Sequence, residues 1–428
     1  MITATFTVND YTVFKQKMLN WANRFNIFCF LDNNHYTKQA PAFECTLGAG
    51  ARRSLLLEPG KTFTSLKAFY DQHPGWLFGH LGYGLKNDIE LLTSRHKDLI
   101  DFGTGFFFEP EVVLQLQNNQ ISISSELYDV LEVFKEINEA SAEMLVKIFT
   151  EINIQSSITK AAYMDAVNTL KQHIKRGDCY EINFCQQFFA KDAIMNPLYT
   201  YSRLMALSPN PFAALYKLNN KYCLCASPER YLKKTGHSIL SQPIKGTSKR
   251  NNQDEAEDIA SKNKLQNSSK ERSENVMIVD LVRNDLSRIC KEGSVQVEEL
   301  FGIYSFPQVH QMISTIKGEL REGLHWTDAI RATFPMGSMT GAPKKRVMEL
   351  IDEFETTSRG LFSGSIGYVN PVGDFDFNVV IRSIFYDAAE RNLSFSAGGG
   401  ITFNSNAADE YEESMHKASV IVKVLKEG

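Results

Sequence analysis

The chain has 428 residues, of which 43% are hydrophobic and 22% charged, and its formal net charge is −4 at pH 7. These values are typical of a globular protein with two or three average domains or one large composite domain, and they give no reason to expect nucleic acid or an acidic membrane surface as a partner. No apolar run approaches the ~18 residues that span a bilayer, and the N-terminus lacks the features of a signal peptide. The seven scattered cysteines fit reduced thiols. We therefore expect a soluble, cytoplasmic protein.

The first part of the chain, to about residue 155, alternates helical and strand-like stretches. Residues 25–31 and 76–83 are predicted to be buried strands, and residues 112–124 a hairpin that turns at Asn118-Asn119. Residues 129–151 are predicted to form an amphipathic helix. The polar stretch 153–159 is the best candidate for a connector.

The second part begins with a predicted helix over residues 160–176, which Gly177 would end as a C-cap. A strand from about Tyr180 to Phe188 follows, with Glu181, Asn183 and Gln187 on one face. That polar face lies either in solvent or along a wet cavity, and the sequence alone favours solvent.

Lys245 lies on a bend between Pro243 and Gly246. An amine at such a position is either a surface charge or, if its surroundings lower its pKa, a nucleophile. Taken alone, the surface interpretation is the more common one, because lysines are rarely buried.

Residues 248–270 are polar enough to be predicted disordered from composition. Ser268 and Glu271 form a capping box, however, and apolar residues at helical spacing predict a helix over 269–290. A further helix is predicted to have Pro343 at its first position, and two strands over residues 366–386 to join at Asn370–Gly373. A strand at 393–396 ending in three glycines and a last helix over 407–425 complete an α+β pattern.

Several side chains could carry chemistry. Glu271 with Glu274, and Glu410 with Glu413, are carboxylate pairs at i, i+3 on predicted helices, which suits either Mg²⁺ or a solvated helix face. Arg382 is predicted in a strand that is apolar on both faces, where its partner would be an internal carboxylate or a substrate carboxylate.

Other candidates are weaker. The glycine-rich runs 337–343 and 398–400 could present backbone N–H groups to an anion, although neither is a nucleotide motif. Glu229 and His310 are candidate proton-transfer residues, or members of a structural ion pair or hydrogen bond. No nucleophile motif supports hydrolase or glutaminase chemistry.

Several motifs together resemble those of the chorismate-utilising enzymes, which include anthranilate, isochorismate and salicylate synthases. They are the runs 227–230, 243–247, 279–286 and 341–344, the two carboxylate pairs, Gly398-Gly399-Gly400 and Lys417. The match is dense over residues 160–425 and looser over 1–155. The resemblance implies one composite unit, a four-layer α/β/β/α sandwich of two packed antiparallel sheets. Lysine in the middle of run 243–247 marks the members that aminate C4 of chorismate in the folate branch, whereas anthranilate synthases have alanine there.

The resemblance also implies roles for individual residues. Mg²⁺ would be held by Glu274 and Glu413 with Glu271 and Glu410 in support, and the catalytic residues would be Lys245 as nucleophile and Glu229 as general acid, with His310 a further candidate. The residues implied in substrate binding are Arg382, Tyr368, Gly398, Gly399, Gly400, Lys417, Thr340 and Thr247. Ammonia would come from a separate glutaminase subunit.

Some positions depart from the family. Isochorismate and salicylate synthases have a water-activating lysine at the position aligned with Glu181, which argues against both activities, and a glutamine is common there in amine-forming members. Phe43-Glu44-Cys45 stands where relatives often have a run tied to tryptophan binding, so tryptophan control does not carry over. The rival hypotheses are an anthranilate synthase with an unusual lysine and a non-catalytic scaffold that binds metal and dicarboxylate without turnover.

Overall fold

A computed structural model describes residues 1–36, 43–143, 152–251 and 253–427 of the chain. Within these ranges the backbone forms the elements of a mixed α and β protein, with 22 strands, 11 α-helices and two short 3-10 helices at Tyr83–Leu85 and Gly337–Met339. The elements before residue 155 are β1 (Ile2–Thr7), α1 (Tyr11–Ala22), β2 (Ile27–Asp32), β3 (Cys45–Ala49), β4 (Arg53–Leu56), α2 (Thr62–Gln72), β5 (Leu77–Leu81), α3 (Lys86–Glu90), β6 (Gly105–Glu109), β7 (Val112–Gln117), β8 (Gln120–Ser125) and α4 (Val130–Glu139).

The elements of the second part are β9 (Gln155–Ser156), α5 (Lys160–Arg176), β10 (Glu181–Ala190), α6 (Pro197–Leu207), β11 (Phe212–Leu218), β12 (Lys221–Ser227), β13 (Arg230–Thr235), β14 (Ser238–Gln242), β15 (Ile244–Lys249), α7 (Glu255–Asn267), α8 (Ser269–Ser287), β16 (Gln296–Ser305), β17 (Val309–Glu319), α9 (Trp326–Thr333), β18 (Gly341–Ala342), α10 (Lys344–Phe354), β19 (Ser365–Val369), β20 (Phe375–Asn378), β21 (Ser383–Asp387), β22 (Asn392–Ile401) and α11 (Ala407–Glu427).

The strands form two antiparallel sheets. One has twelve strands, in the order β1-β8-β7-β3-β2-β11-β12-β21-β22-β10-β18 with β9 beside β10, and the other has ten, in the order β15-β17-β14-β13-β20-β19-β5-β6-β4 with β16 beside β17. Each sheet therefore takes strands from both sides of residue 155. No helix in the described part of the chain is long and apolar enough to cross a membrane.

The two sheets pack face to face because successive side chains along a strand point alternately to the layer between the sheets and to the layer beneath the helices. Cys29 on β2 lies in the same buried cluster as Phe78 and Phe107 of the other sheet, whereas its neighbours Phe28 and Phe30 lie in a second cluster. Helices α1, α4, α6 and α11 cover that second cluster, and α8 packs on β15 and β17 of the ten-stranded sheet. The predicted α/β/β/α sandwich is confirmed.

Several local predictions are confirmed as well. Strands β2, β5 and β10 occupy the predicted segments, and β7 pairs with β8 through Asn118 and Asn119, whose φ angles are 51° and 58°. Helix α5 ends at Gly177 with φ of 87°. The helix predicted over 129–151 begins at Val130 but ends at Glu139, and residues 144–151 lie outside the described residues.

Three local predictions are wrong. The polar stretch 248–270 contains helix α7, which the Asp254 side chain caps and which buries little besides Leu265, so composition hides it. Pro343 is the N-cap of α10 rather than its first residue. Residues 366–386 form three strands instead of two, because the chain leaves the ten-stranded sheet after Asn378 and enters the twelve-stranded sheet at Ser383.

Candidate active site

A cavity of about 600 Å³ lies between the two sheets and beneath α8 and α11. Its walls come from β10 and β22 of one sheet, from β15 of the other, from the two helices, and from the segments around Glu229 and Arg382. Its volume is that of a site for a small molecule. Among the side chains predicted from the sequence, those on its wall are Lys245, Glu229, Arg382, Thr247, Glu271, Glu274, Glu413 and Lys417, together with Gly398, Gly399 and Gly400.

Lys245 enters the cavity from a distorted part of β15. The register of β15 against β17 shifts between Ile244 and Thr247, and Gly246 has φ of 98°, which a glycine adopts readily. The lysine side chain is only 10% exposed, and its Nζ forms an ion pair with Oε1 of Glu181 on β10. Lys245 is therefore not a surface charge.

Its protonation differs from the sequence-based expectation that burial would favour the neutral amine. Burial is the largest single influence and lowers the pKa of Lys245, but the carboxylates of Glu181 and Glu274 together outweigh it. The net pKa is raised, so the free site holds an ammonium group. A lysine nucleophile here must first lose a proton.

The prediction that the polar face of β10 lies in solvent is wrong, and Glu181 belongs to that face. Glu181, Asn183 and Gln187 are buried rather than exposed, and Asn183 lines the cavity. The role of Glu181 was missed because pairing with Lys245 joins strands of two different sheets, which no local pattern reveals.

Glu229 lies between β12 and β13 and is 4% exposed. The hydroxyl of Ser338 donates a hydrogen bond of 2.5 Å to its Oε1. Burial raises the pKa of Glu229 to about 7, against the opposing effects of Ser338, Lys245 and Arg382. A carboxyl group with that pKa is suited to donating a proton near neutral pH.

Arg382 lies where the chain crosses from one sheet to the other. It is not in a strand, as predicted, but at a bend with φ of 52°, a left-handed conformation that costs a non-glycine residue roughly 1 kcal/mol. No ion pair or side-chain hydrogen bond joins its guanidinium to another described residue, while burial lowers its pKa to about 10. Of the two partners left open by the sequence, this arrangement favours a substrate carboxylate.

Substituting Arg382 by lysine tests that assignment. The change keeps the positive charge but removes the guanidinium group, which can donate two hydrogen bonds to one carboxylate. Each hydrogen bond to a charged group contributes about 1.5–3 kcal/mol. We expect KM for a substrate that carries this carboxylate to rise by about 10- to 100-fold with a smaller change in kcat. Arg391→Lys is the matched control, because Arg391 has φ of 55° and is exposed. An unchanged KM in Arg382→Lys would remove this residue from the substrate site.

Four glutamates face one another across α8 and α11. Lys270 Nζ lies 3.9 Å from Oε1 of Glu274 and 3.6 Å from Oε1 of Glu410, which joins the two helices. Glu274 and Glu410 are 7% and 3% exposed, so these residues do not form a solvated helix face. Glu410 adjoins the cavity wall, since a Cβ placed on Gly399 would meet its Oε2 at 3.2 Å.

The electrostatics of the four carboxylates fit a cation. Burial raises the pKa of Glu271 and of Glu410, and raises that of Glu274 to about 7, whereas Lys417 is the main cause of the lowered pKa of Glu413. Oε1 of Glu274 is buried without a hydrogen-bond partner. Among the described residues no group of three His, Cys, Asp or Glu side chains is placed so that it could hold a metal ion. An open site of one or two carboxylates is what Mg²⁺ prefers, because it keeps several waters.

The three glycines continue β22 instead of forming a turn after it. Gly398, Gly399 and Gly400 pair with Cys185, Phe184 and Asn183 of β10. Strand β21 pairs with β22 only over residues 392–394, so the glycine segment has β10 on one edge and borders the cavity. Lys417 Nζ donates to the Gly398 carbonyl at 2.9 Å and pairs with Glu413 at 2.7 Å.

Four predicted site residues do not line the cavity, namely Glu410, which adjoins its wall, and His310, Thr340 and Tyr368. His310 alternates on β17 with Val309 and Gln311, which do line it, and its ring contacts Ser305 and Asp258 at 2.8 and 3.1 Å. Thr340 donates its hydroxyl to the Met336 carbonyl at 3.0 Å.

Tyr368 packs against Phe43, Trp76 and Phe78, with ring centroids 6.3, 5.5 and 6.0 Å away. It borders a separate cavity of about 30 Å³. Tyr368 was predicted to bind substrate together with Arg382 and the three glycines, but it is not on the wall of the cavity that they line.

Two further residues at the site were not predicted. Ser338 holds Glu229, and Lys270 bridges the carboxylate pairs. A serine in a glycine-rich turn and a lysine beside Glu271 were visible in the sequence, but nothing in their spacing indicates a partner so distant along the chain.

Comparison with known proteins gives a family match and several similar proteins. The family described as chorismate binding enzyme matches residues 30–423. Aminodeoxychorismate synthase component 1 of Escherichia coli is 41% identical over 82% of this chain and 77% of its own length. The Salmonella typhimurium protein of the same name is 36% identical over the same shares. The crystal structure of anthranilate synthase component I from Streptococcus pneumoniae superposes with a TM-score of 0.78 at 26% identity, over 90% of this chain and 94% of that one.

Proposed function

The chain belongs to the family of chorismate binding enzymes, and we propose from this premise that it catalyses the reaction for which its relatives from Escherichia coli and Salmonella typhimurium are named, the synthesis of 4-amino-4-deoxychorismate. The observation that carries the proposal is the buried Lys245, which shares one cavity with Glu229 and Arg382. The solved relative from Streptococcus pneumoniae is an anthranilate synthase, so the family alone does not decide which carbon receives the nitrogen.

The chemistry needs a nucleophile, a general acid and a carboxylate site. Arg382 binds the enolpyruvyl carboxylate of chorismate in a bidentate manner. The neutral amine of Lys245 forms a bond from Nζ to C2, the ring double bonds shift, and the C4–O bond breaks. Glu229 gives its proton to the departing hydroxyl, which leaves as water.

The second half of the reaction reverses the first with a different nucleophile. Ammonia forms a bond to C4, the double bonds shift back, and the bond between C2 and the protonated Nζ breaks. Lys245 leaves as a neutral amine, the product carries the new ammonium group at C4, and loss of a proton from that ammonium to Glu229 restores the acid. Lys245 thereby directs nitrogen to C4, whereas ammonia that adds directly at C2 leads towards anthranilate.

Glu274 and Glu413, supported by Glu271 and Glu410, are the residues that would hold Mg²⁺. When bound, the ion supplies positive charge that opposes the ring carboxylate of the substrate. A partner component that delivers ammonia from glutamine completes the proposal, in keeping with the name component 1 that the relatives bear.

The product decides between the proposal and its rivals. We expect the protein, incubated with chorismate, Mg²⁺ and ammonium, to form 4-amino-4-deoxychorismate, detected by chromatography and mass spectrometry. Fluorescent anthranilate as the main product would support the anthranilate synthase hypothesis. A complete lack of chorismate consumption would support the non-catalytic scaffold.

The metal site has a matched pair of variants on α11. Glu413→Gln is expected to raise the Mg²⁺ concentration needed for half-maximal activity by at least about 10-fold, because it removes a charged oxygen ligand. Glu412→Gln should leave that concentration unchanged, since Glu412 is exposed and pairs with Lys160. Activity that survives chelation of Mg²⁺ in the unsubstituted protein would contradict the assignment.

A further inference from the structure

Glu181 on β10 contacts Lys245, the proposed nucleophile. Among the described residues it is the one carboxylate within ion-pair distance of Lys245 Nζ. The side chains of Lys245 and Glu181 are 10% and 2% exposed, so water has little access to either. A proton leaving Nζ therefore has one acceptor in direct contact.

The pair is poorly arranged for stability alone. Oε2 of Glu181 is buried without a hydrogen-bond partner among the described residues, and an unsatisfied buried oxygen costs about 1–3 kcal/mol. A buried ion pair adds stability only when its remaining polar atoms are satisfied. This arrangement favours a functional reason for the carboxylate.

Gly400 makes room for the contact. A Cβ placed on Gly400 would lie 2.7 Å from Oε1 of Glu181 and would overlap Nζ of Lys245. The glycine belongs to β22, which pairs with β10 beside Glu181, so the two strands enclose the ion pair. The backbone at Gly400 in the twelve-stranded sheet therefore leaves the space in which the side chain of Lys245, from the ten-stranded sheet, reaches Glu181.

The other charges near Lys245 come from several elements. Glu274 and Glu271 on α8, Glu413 on α11 and Glu229 before β13 all interact electrostatically with Lys245. Glu274, Glu413 and Glu271 are the proposed metal-site residues, and Glu229 is the proposed acid for the leaving hydroxyl. Glu181 is left with no other role.

We propose that Glu181 is the catalytic base that removes the proton from Lys245. This inference rests on the proposed function, because it assigns a partner to its nucleophile. The N–H bond of the ammonium breaks, the proton moves to Oε1 of Glu181, and the lone pair of Nζ forms the bond to C2. When ammonia displaces the lysine from C2, Nζ leaves as a neutral amine and recovers its proton from Glu181. No other reactant is needed.

The test uses Glu181→Gln, which keeps the shape of the side chain but cannot accept the proton. The measurement is the single-turnover rate of covalent attachment of chorismate to the protein without ammonia, followed by intact mass from pH 6 to pH 9. At pH 7 we expect the rate to fall by about 10²-fold or more. The ratio of variant to unsubstituted rates should then rise with pH, because solvent must remove the proton instead.

Three comparisons make the result decisive. The chorismate affinity of Glu181→Gln should stay close to that of the unsubstituted protein, and Glu412→Gln should leave the attachment rate unchanged. In a Lys245→Ala background, Glu181→Gln should have no further effect on amination, because both residues act in one step. If Glu181→Gln does not fold, Glu181→Asp replaces it, and we expect a slower rate whose ratio to the unsubstituted rate is independent of pH.

An attachment rate in Glu181→Gln that equals or exceeds the unsubstituted rate at pH 7 would overturn the inference. If Lys245→Ala is nevertheless inactive in C4 amination, the proposed function stands and only the role of Glu181 fails. If Lys245→Ala aminates C4 at the unsubstituted rate, the covalent route itself fails.

Discussion

Replacing Lys245 by alanine is expected to reduce the formation of 4-amino-4-deoxychorismate by about 10²-fold or more. The methyl group of alanine cannot form the bond to C2, so ammonia no longer meets a substrate activated for attack at C4. Direct addition of ammonia at C2 remains chemically open, and residual amination is therefore expected there. The measurement is the yield of both amines, separated by chromatography, over a range of ammonium concentrations.

Lys249→Ala is the matched control for this prediction. Lys249 lies on the same strand and lines the same cavity, but it has no assigned part in the chemistry. Its substitution should leave the C4 product dominant. Formation of the C4 amine by Lys245→Ala at the unsubstituted rate would show that the lysine is not an obligatory nucleophile.

Replacing Glu229 by glutamine is expected to reduce kcat by about 10²- to 10⁴-fold, the usual contribution of a positioned general acid. The amide has nearly the same shape and can still accept the hydrogen bond from Ser338, so folding and chorismate binding should persist. Without a proton donor, the C4 oxygen has to leave as hydroxide, which is a poorer leaving group than water.

The pH dependence follows from the raised pKa of about 7. The protonated form of Glu229 is the active one, so kcat/KM of the unsubstituted protein should fall as pH rises through about 7. The residual activity of Glu229→Gln should not show this fall of kcat/KM above pH 7. A variant that keeps the full rate, or that keeps the same alkaline limb, would show that another group supplies the proton.

Local patterns predicted much of the fold. Helix α5 with its glycine cap, the hairpin of β7 and β8, and helix α8 with its Ser268 cap are determined by residues close in sequence. The two-sheet sandwich came instead from the resemblance to a family, because the pairing of strands before residue 155 with strands after residue 210 leaves no local trace. The division into one composite unit stays a prediction.

Failures occurred where tertiary contacts override local preference. The apolar run around Arg382 predicts a buried strand, but the crossover between sheets needs a bend there. The alternation of β10 predicts an exposed polar face, yet that face is buried, with Glu181 paired to Lys245 of the second sheet and Asn183 on the cavity wall. Tyr368 and His310 illustrate the same limit, because a motif places a residue along the chain but not on one side of a sheet.

The residues of the candidate site were largely predicted by motif, whereas their electrostatics were not. The sequence placed Lys245 among carboxylates but could not weigh burial against them, and the raised pKa of the lysine reverses the expected neutral amine. The base proposed for that lysine rests on the buried contact between Lys245 and Glu181.

The central claim is that Lys245 forms a bond to chorismate before ammonia arrives, and intact mass spectrometry tests it most directly. Incubation with chorismate and Mg²⁺ but no ammonium should add the mass of chorismate less one water, and peptide mapping should place the addition on Lys245. Subsequent ammonium should remove the addition and release 4-amino-4-deoxychorismate. An unmodified Lys245 in a sample that still aminates C4 when ammonium is added would contradict the account.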